Sequence, residues 1–544
     1  VTLKRGDICS GAGEAAQEQD FGLSDSSDLF DLLHSRVIPL WGKNPFVSSV
    51  HLLPVLRKAR DSGCRLVLID PVSHQTAGLC ERVIQPRPGG DFALAMGMAR
   101  LLFESGWSDP ESRNYCEHLT EYRKLVFSRS PQEWAGEAGV PFSELAFLAG
   151  LYGRSRPANI QVGWGMPRRA NGSATVRALD ALGAISGNLG IAGGGVSFYF
   201  ARRAPFDRSF LRGREAAPRT VCEPLFGAEL LALDDPPVRM VWVTAANPVA
   251  MLPDSKKVSR ALRSREFVVV VDSFLTDTAR CADLVLPTTT MLEEDDLLGA
   301  YGNHWIGNVR PVVPRPENVR SDFEIACELA RRVGLASEFQ ASGRDWKKRL
   351  LSRLEETGIG LAELEKQALR NPFAPEILFQ GRRFPTPTGR MRLLVEAPLD
   401  ISQRSMEFPL YLMSLSIREA QASQTTAGAQ EGPAEARVHP EAASGIPDGA
   451  LARVESRIGE MFVRVRHDSS LRRDLLLVPK GGWLHRGRCA NALVRARLTD
   501  AGEGAAYYDE TVRLVPVEEG GALRPATRAE TSPPRSSSTE TAQR

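Results

Sequence analysis

Residues 37–41, VIPLW, form an unbroken apolar run that stops at Gly42-Lys43-Asn44-Pro45. A run of that length closed by a turn predicts a strand buried on both faces. The next stretch, VHLLPVLRKARDSG (50–63), carries apolar side chains at helical spacing and ends on Gly63. RLVLIDP (65–71) is again β-rich and stops at Asp70-Pro71. Strand, helix and strand in this order build parallel sheets covered by helices. The alternation continues through QPRPGGDFALAMGMARLLFESG and PANIQVGWGMPRRANGSATVRALDALGAISGNLG. A second α/β region is predicted over about 205–400, with strands in VRMVWVTAANP (238–248) and FVVVVDSFLTDTARCADLVLP (267–287).

From residue 405 the period shortens to alternating strands with Gly/Pro turns, as in ALARVESRIGEMFVRVRHD and DLLLVPKGGWLHRG, which predicts a β-barrel. TTAGAQEGPAEA (425–436) reads as a mobile loop, and the Ser/Thr/Pro-rich tail from 518 as disordered. The predicted organisation is an α/β domain at 1–200, a second at 201–400, a barrel at 401–517 and the tail at 518–544.

Composition changes this picture little. With 544 residues, 42% hydrophobic and 25% charged, the chain is of ordinary globular type and too long for one core. A net charge of +2 gives no footing for nucleic acid, and no apolar run is long enough for direct membrane insertion. The eight cysteines include no CxxC pair, and Cys64 and Cys281 sit beside apolar strands as core residues. This usage predicts a reducing, cytoplasmic setting; a periplasmic one stays open, because a chain starting at Val1 could have lost a leader.

The chemistry lies in the strand-end loops. WGKNP, IDPVSHQTA, RPGGD, GWGMPR, TAANPV and DSFLTDTA are rich in small residues that let backbone N–H groups approach phosphates. Carboxylates at strand ends, Asp70 and Asp272, suit a ribose hydroxyl or a guanine edge. None of these loops matches GxGxxG after a first strand or GxxxxGK[ST], so simple NAD and P-loop readings are disfavoured. Six in one chain point to an extended, phosphate-rich ligand.

In order along residues 6 to 515, these segments resemble the molybdopterin oxidoreductase superfamily of the dimethyl-sulfoxide-reductase type. The resemblance implies two Rossmann-like α/β domains with parallel sheets, a C-terminal double-psi β-barrel, and a molybdenum or tungsten bis(molybdopterin guanine dinucleotide) cofactor. Cys9, in GDICSGAGEAAQEQDFG, falls on the position of the metal ligand, with Ser10 beside it; a soft thiolate suits such an ion. The bland alternative is a buried structural thiol. Gly42, Lys43, Asn44, Asp70, Pro71, Gly89, Gly90, Asp91, Gly163 and Gly165 fall on cofactor contacts in the first domain. Asn247, Asp272, Ser273 and Thr276 resemble contacts to the second dinucleotide, and Ser416 and Asn491 contacts from the barrel. His34, His51 and His304 are candidate proton donors, and His304 resembles part of the family's substrate channel. Glu293 to Asp296 read as a solvated helix start.

The sequence departs from the family pattern in two respects. Family members usually begin with a cysteine-rich module holding a 4Fe–4S cluster, followed by the first part of the second α/β domain. Neither stands before Cys9, so a fragment or split subunit is expected, with an iron–sulfur or other electron-transfer subunit as partner beside a small-molecule substrate. Formate dehydrogenases of the family carry His after the metal-binding Cys, where Ser10 stands here, and Arg202 and Arg203 lie outside the usual Gly-Gln-Asn context. Formate is therefore disfavoured. The expected activity is two-electron oxygen-atom or proton/electron transfer; the alternatives are a non-redox hydratase or hydroxyl transferase on the same cofactor, and a cofactor-free structural subunit.

Overall fold

The computed structural model describes residues 1–211, 217–398 and 404–517, so the predicted tail lies outside it. The first apolar run forms the strand Val37–Trp41, buried at every position. It lies at the centre of a five-stranded parallel sheet ordered Arg82–Ile84, Arg65–Ile69, Val37–Trp41, Asn159–Val162 and Gly195–Ser197. The chain runs outward in one direction from the central strand and then in the other. The crevice between Val37–Trp41 and Asn159–Val162 is thus the point where the strand order reverses, the usual ligand position in open α/β sheets. Helices Asp91–Glu104 and Gly172–Ile185 join the main core, where Trp41, Leu94, Met98, Trp134, Leu179 and Leu182 are fully buried.

A second, three-stranded parallel sheet is formed by Met240–Thr244, Phe267–Asp272 and Leu284–Pro287, with Phe267–Asp272 in the middle. Its core is small, built on Val243, Val258, Leu262, Val268 and Val270. Its rim leaves Met240 49%, Trp242 38% and Leu284 43% exposed. Residues 410–516 form a closed six-stranded barrel, with Leu410–Leu415 parallel to Leu475–Pro479 and Ala434–Val438 parallel to Glu460–His467. Two parallel sheets and a closed barrel are the architecture the resemblance implies.

The local departures have physical reasons. Asp296–Gly299 is a strand, not a helix start, because it pairs antiparallel with Trp305–Val309. The stretch 425–436 is only partly a loop: Ala434–Val438 is a barrel strand, and Gln430 is buried, accepting from the Trp483 N–H at 2.9 Å. Segments from either side of residue 200 pack together, while the expected 400/401 boundary lies outside the described residues. Thr2–Arg5 pairs with Arg219–Cys222, and Phe379, Phe384, Met391 and Leu393 pack with Phe21 in the first core. Cys64 and Cys281 are both 6% exposed, as expected of core thiols.

Candidate cofactor site

At the reversal of the first sheet the backbone closes tightly. Gly42 takes φ +62°, its N–H reaching the Ile69 carbonyl at 2.7 Å, while Gly163 N–H reaches the Trp41 carbonyl at 2.7 Å. A Cβ on Gly163 would fall 1.7 Å from the Gly42 oxygen, so only glycine fits this crossing. Beside it, burial pushes Lys43 down to about 8. The Asn44 amide oxygen accepts from the Thr76 hydroxyl at 3.4 Å. Asp70 accepts from the Val72 N–H at 2.8 Å and lies 3.4 Å from His74 Nε2; the Pro71 carbonyl holds Gln85. Gly89 turns at φ +83°, and Gly90 lies so close to the Ala138 carbonyl that a Cβ would sit 2.5 Å from it. Asp91 is buried and accepts from Trp41 Nε1 at 2.8 Å, with its carboxyl raised by burial. That bond anchors the helix start to the central strand.

The Cys9 turn stands at the junction of the first region with the barrel. Asp7 holds it by accepting from the backbone N–H of Cys9 and, at 2.8 Å, of Ser10. Ser10 is buried and opens the helix Gly11–Phe21. Arg168 donates to the Cys9 sulfur and carbonyl oxygen, each at 3.3 Å. Lys480, from the end of a barrel strand, is 9% exposed and lies 5.2 Å from the Tyr507 ring centroid. Burial, then Arg168, push it down to about 7, opposed by Cys9. Neither Arg168 nor Lys480 has a carboxylate ion pair among the described residues, and Arg168 reaches the thiol directly. Arg168 and Lys480 escape the sequence reading, since single basic residues in glycine-rich turns look like solvated surface. The doublet Arg168-Arg169 inside a strand-end loop was the available signal.

Arg169 turns the other way. Its guanidinium pairs with Asp509 at 3.0 Å, both side chains under 5% exposed, and Asp509 also accepts from the Ala170 N–H at 2.6 Å. Asp500 accepts from the N–H groups of Ser173 and Ala174 at 2.7 and 2.8 Å, capping the helix Gly172–Ile185 from the barrel. Gly165 faces Tyr508, 3.9 Å from where its Cβ would be, and Ser416 follows a barrel strand whose Ser414 carbonyl accepts from the Tyr508 hydroxyl at 3.1 Å.

The second sheet brings its own loops to the barrel. Asn247 accepts from the Thr278 hydroxyl at 2.7 Å. Asp272, raised by burial, accepts from the Phe274 N–H at 3.0 Å and the Thr276 hydroxyl at 3.2 Å; Ser273 donates to the Thr289 carbonyl at 3.1 Å. Asn491 donates to the Ala250 and Met251 carbonyls at 3.0 and 2.9 Å, leaving its buried Oδ1 without a partner.

The candidate histidines stay apart from Cys9. His304 is 4% exposed, its Nε2 2.9 Å from Asp25 Oδ1 and its ring packed edge-on against Phe200. His51 is exposed, and the His34 side chain is 67% exposed beside Asp31. Arg202 donates to the Tyr301 hydroxyl at 2.7 Å and stacks over its ring.

No group of three or more His, Cys, Asp or Glu side chains among the described residues could hold a metal alone. A metal at Cys9 needs most of its ligands from a cofactor. The residues fit an anionic one: Arg168 and Lys480 lack carboxylates, the Gly42/Gly163 crossing opens backbone at the crevice, and Asn491 offers a spare acceptor.

Two parallel sheets and a closed barrel pack together, the barrel bonding to loops of both sheets through Arg472 and Asn491. The chain belongs to the molybdopterin oxidoreductase family, whose model matches residues 3–332, and the molydopterin dinucleotide binding domain matches 410–511. The probable oxidoreductase YyaE of Bacillus subtilis (strain 168) is 29% identical over 94% of this chain and 81% of its own length. Dimethyl sulfoxide reductase DmsA of Escherichia coli (strain K12) is 28% identical over 70% of this chain and 54% of that protein. The acetylene hydratase structure from Pelobacter acetylenicus superposes with a TM-score of 0.79 at 19% identity, over 94% of this chain and 81% of that one, a likeness of fold. The dinucleotide-binding domain supports a molybdopterin dinucleotide cofactor.

Proposed function

We propose that this chain is the catalytic subunit, or a fragment of it, of a molybdenum- or tungsten-dependent oxidoreductase acting on a small substrate. The observation that carries the reading is the Cys9 sulfur, set in a small-residue turn and bonded by Arg168, a cation without a carboxylate partner among the described residues. When bound, the metal cofactor supplies two-electron chemistry and most of the metal's sulfur ligands. Cys9 would add one thiolate. Arg168, bonded to that sulfur, would orient it and lower its electron density, as hydrogen bonds to ligating sulfur do. Lys480 would neutralise cofactor negative charge from the barrel side. The Gly42/Gly163 and Gly89/Gly90 turns, with Lys43, Asn44, Asp70 and Asp91, would take one dinucleotide; Asn247, Asp272, Ser273, Thr276, Ser416 and Asn491 would serve the other and the pterins. Electrons would leave through an iron–sulfur or other electron-transfer partner.

Non-redox hydration is the second reading, prompted by the fold's likeness to acetylene hydratase. Turnover without an electron acceptor would select it.

The test is metal and pterin content of the purified chain beside Cys9→Ala. About one molybdenum or tungsten per chain, with an altered metal-centre spectrum in the variant, supports the reading. A chain that stays empty, even when expressed with any upstream coding region, sinks it.

A further inference from the structure

Between residues 295 and 365 lies a cavity of about 360 Å³ that none of the cofactor loops lines. Small-molecule sites usually measure roughly 300–1,000 Å³, so the space is large enough for a ligand. Lys347, on the helix Gly343–Leu351, forms its floor, with a side chain only 8% exposed. Its Nζ donates to Asp295 Oδ1 at 2.6 Å, to Asn308 Oδ1 at 2.7 Å and to the Val309 carbonyl at 3.3 Å. All three ammonium hydrogens are thereby used. Leu361 gives an apolar side and belongs to the same small core as Ile306 and Leu364.

The lining sets three cations, Arg310, Arg344 and Lys347, against two carboxylates, Asp295 and Glu365. Lys347 is paired with Asp295, and Arg344 with both oxygens of Glu365. Arg310, just past the strand Trp305–Val309, is the cation left over. Its Nη2 donates to the Glu365 backbone carbonyl at 2.9 Å, and among the described residues it makes no carboxylate ion pair. That bond holds the guanidinium at the cavity while most of its five N–H donors stay available. A carboxylate fits such a fork through two parallel N–H···O bonds. A phosphate dianion would bring a second negative charge towards Asp295 and Glu365 with no further cation to meet it. At the mouth the Asp295 side chain is 56% exposed, and its Oδ2, without a partner among the described residues, can accept from a hydroxyl or ammonium group.

We propose that this cavity binds a small monocarboxylic acid bearing hydroxyl or amino donors, its carboxylate on Arg310 and a donor group on Asp295. The site draws nothing from Cys9 or the cofactor loops, so it stands or falls independently of the proposed function. A bound acid would join the segment after Trp305–Val309 to the residue before Asp296–Gly299, closing the open side of a region that rests on a small core.

The experiment titrates the full purified chain by calorimetry with gluconate, lactate and glutamine, and with glucose and glucose 6-phosphate as the neutral and dianionic counterparts. Saturable binding of at least one of the three carboxylates is expected, with none for glucose and weaker binding for glucose 6-phosphate. Arg310→Gln should bind that carboxylate about ten- to a hundredfold more weakly. Arg310→Lys, which keeps the charge without the fork, should lose less. Arg315→Gln removes a neighbouring cation that is paired with Glu324 outside the cavity, and it should bind as wild type does. In limited proteolysis the bound acid should slow cleavage within 290–365 in wild type and not in R310Q, while the two ligand-free chains digest alike. No binding of any of the three carboxylates, binding undiminished in R310Q, or tighter binding of glucose 6-phosphate overturns the site and leaves the proposed function standing.

Discussion

At the scale of single residues, charge placed in the interior decides most of what can be tested. The Arg169–Asp509 pair is nearly closed to water, so removing one partner strands the other. Asp509→Ala is expected to cost about 3–5 kcal/mol in denaturant unfolding, while a double replacement by apolar residues of similar volume costs much less. Lys480 behaves oppositely in the ligand-free chain. Its pKa falls from 10.5 unfolded to about 7 folded, so the unfolded state binds more protons between those values. Its contribution to stability therefore rises with pH across that window, and its penalty is complete below about pH 7. Lys480→Met should stabilise the ligand-free chain by about 1–3 kcal/mol at pH 6, with the gain fading by pH 10.5. The same variant should bind inorganic pyrophosphate more weakly, followed as a smaller thermal shift.

Between elements, the helix that follows Cys9 is braced by a polar cluster where an apolar contact would be expected. Asp20 and Asp180 are both fully buried, each with one oxygen lacking a partner. Arg177 pairs with Asp20 at 2.6 Å, and Gln17 donates to Asp180 at 3.2 Å. Burial raises both carboxyls, Asp20 to about 7, and Asp180 is raised further by the Asp20 charge. Asp180 therefore keeps the proton. Raised carboxyls favour the fold while protonated, so this brace weakens as pH climbs from about 4 through 7. Asp180→Asn should flatten that slope and leave neutral-pH stability equal or higher, whereas Asp20→Asn should destabilise by leaving Arg177 unpaired. Urea titrations across pH check both. At the crevice, Gly163→Ala should push the two central strand ends apart, because its Cβ would meet the Gly42 carbonyl; far-UV circular dichroism would survive and cofactor loading would not.

Over the whole molecule, the barrel is tied more firmly to the first region than chain order suggests. Besides the Arg169–Asp509 pair and the Asp500 cap, Arg472 donates to the carbonyls of Gln85 and Gly139 at 2.8 and 3.1 Å, and Val72 is packed into the barrel core. These regions should melt together in calorimetry. Residues 290–365 rest on a small core of Ile306, Leu351, Leu354, Leu361 and Leu364, so limited proteolysis should cut there first. By itself the sequence determined the strand at 37–41, the helices at 52–61, 91–104 and 172–185 and the barrel, because each is written in a local period that packing then obeys. It also placed Cys9 in its small-residue turn. Only the tertiary structure decided that Arg168 meets that thiol and that His304 is spent on Asp25. Such pairings join residues as far apart as Asp25 and His304, and no local pattern encodes which distant side chain will fill a buried position.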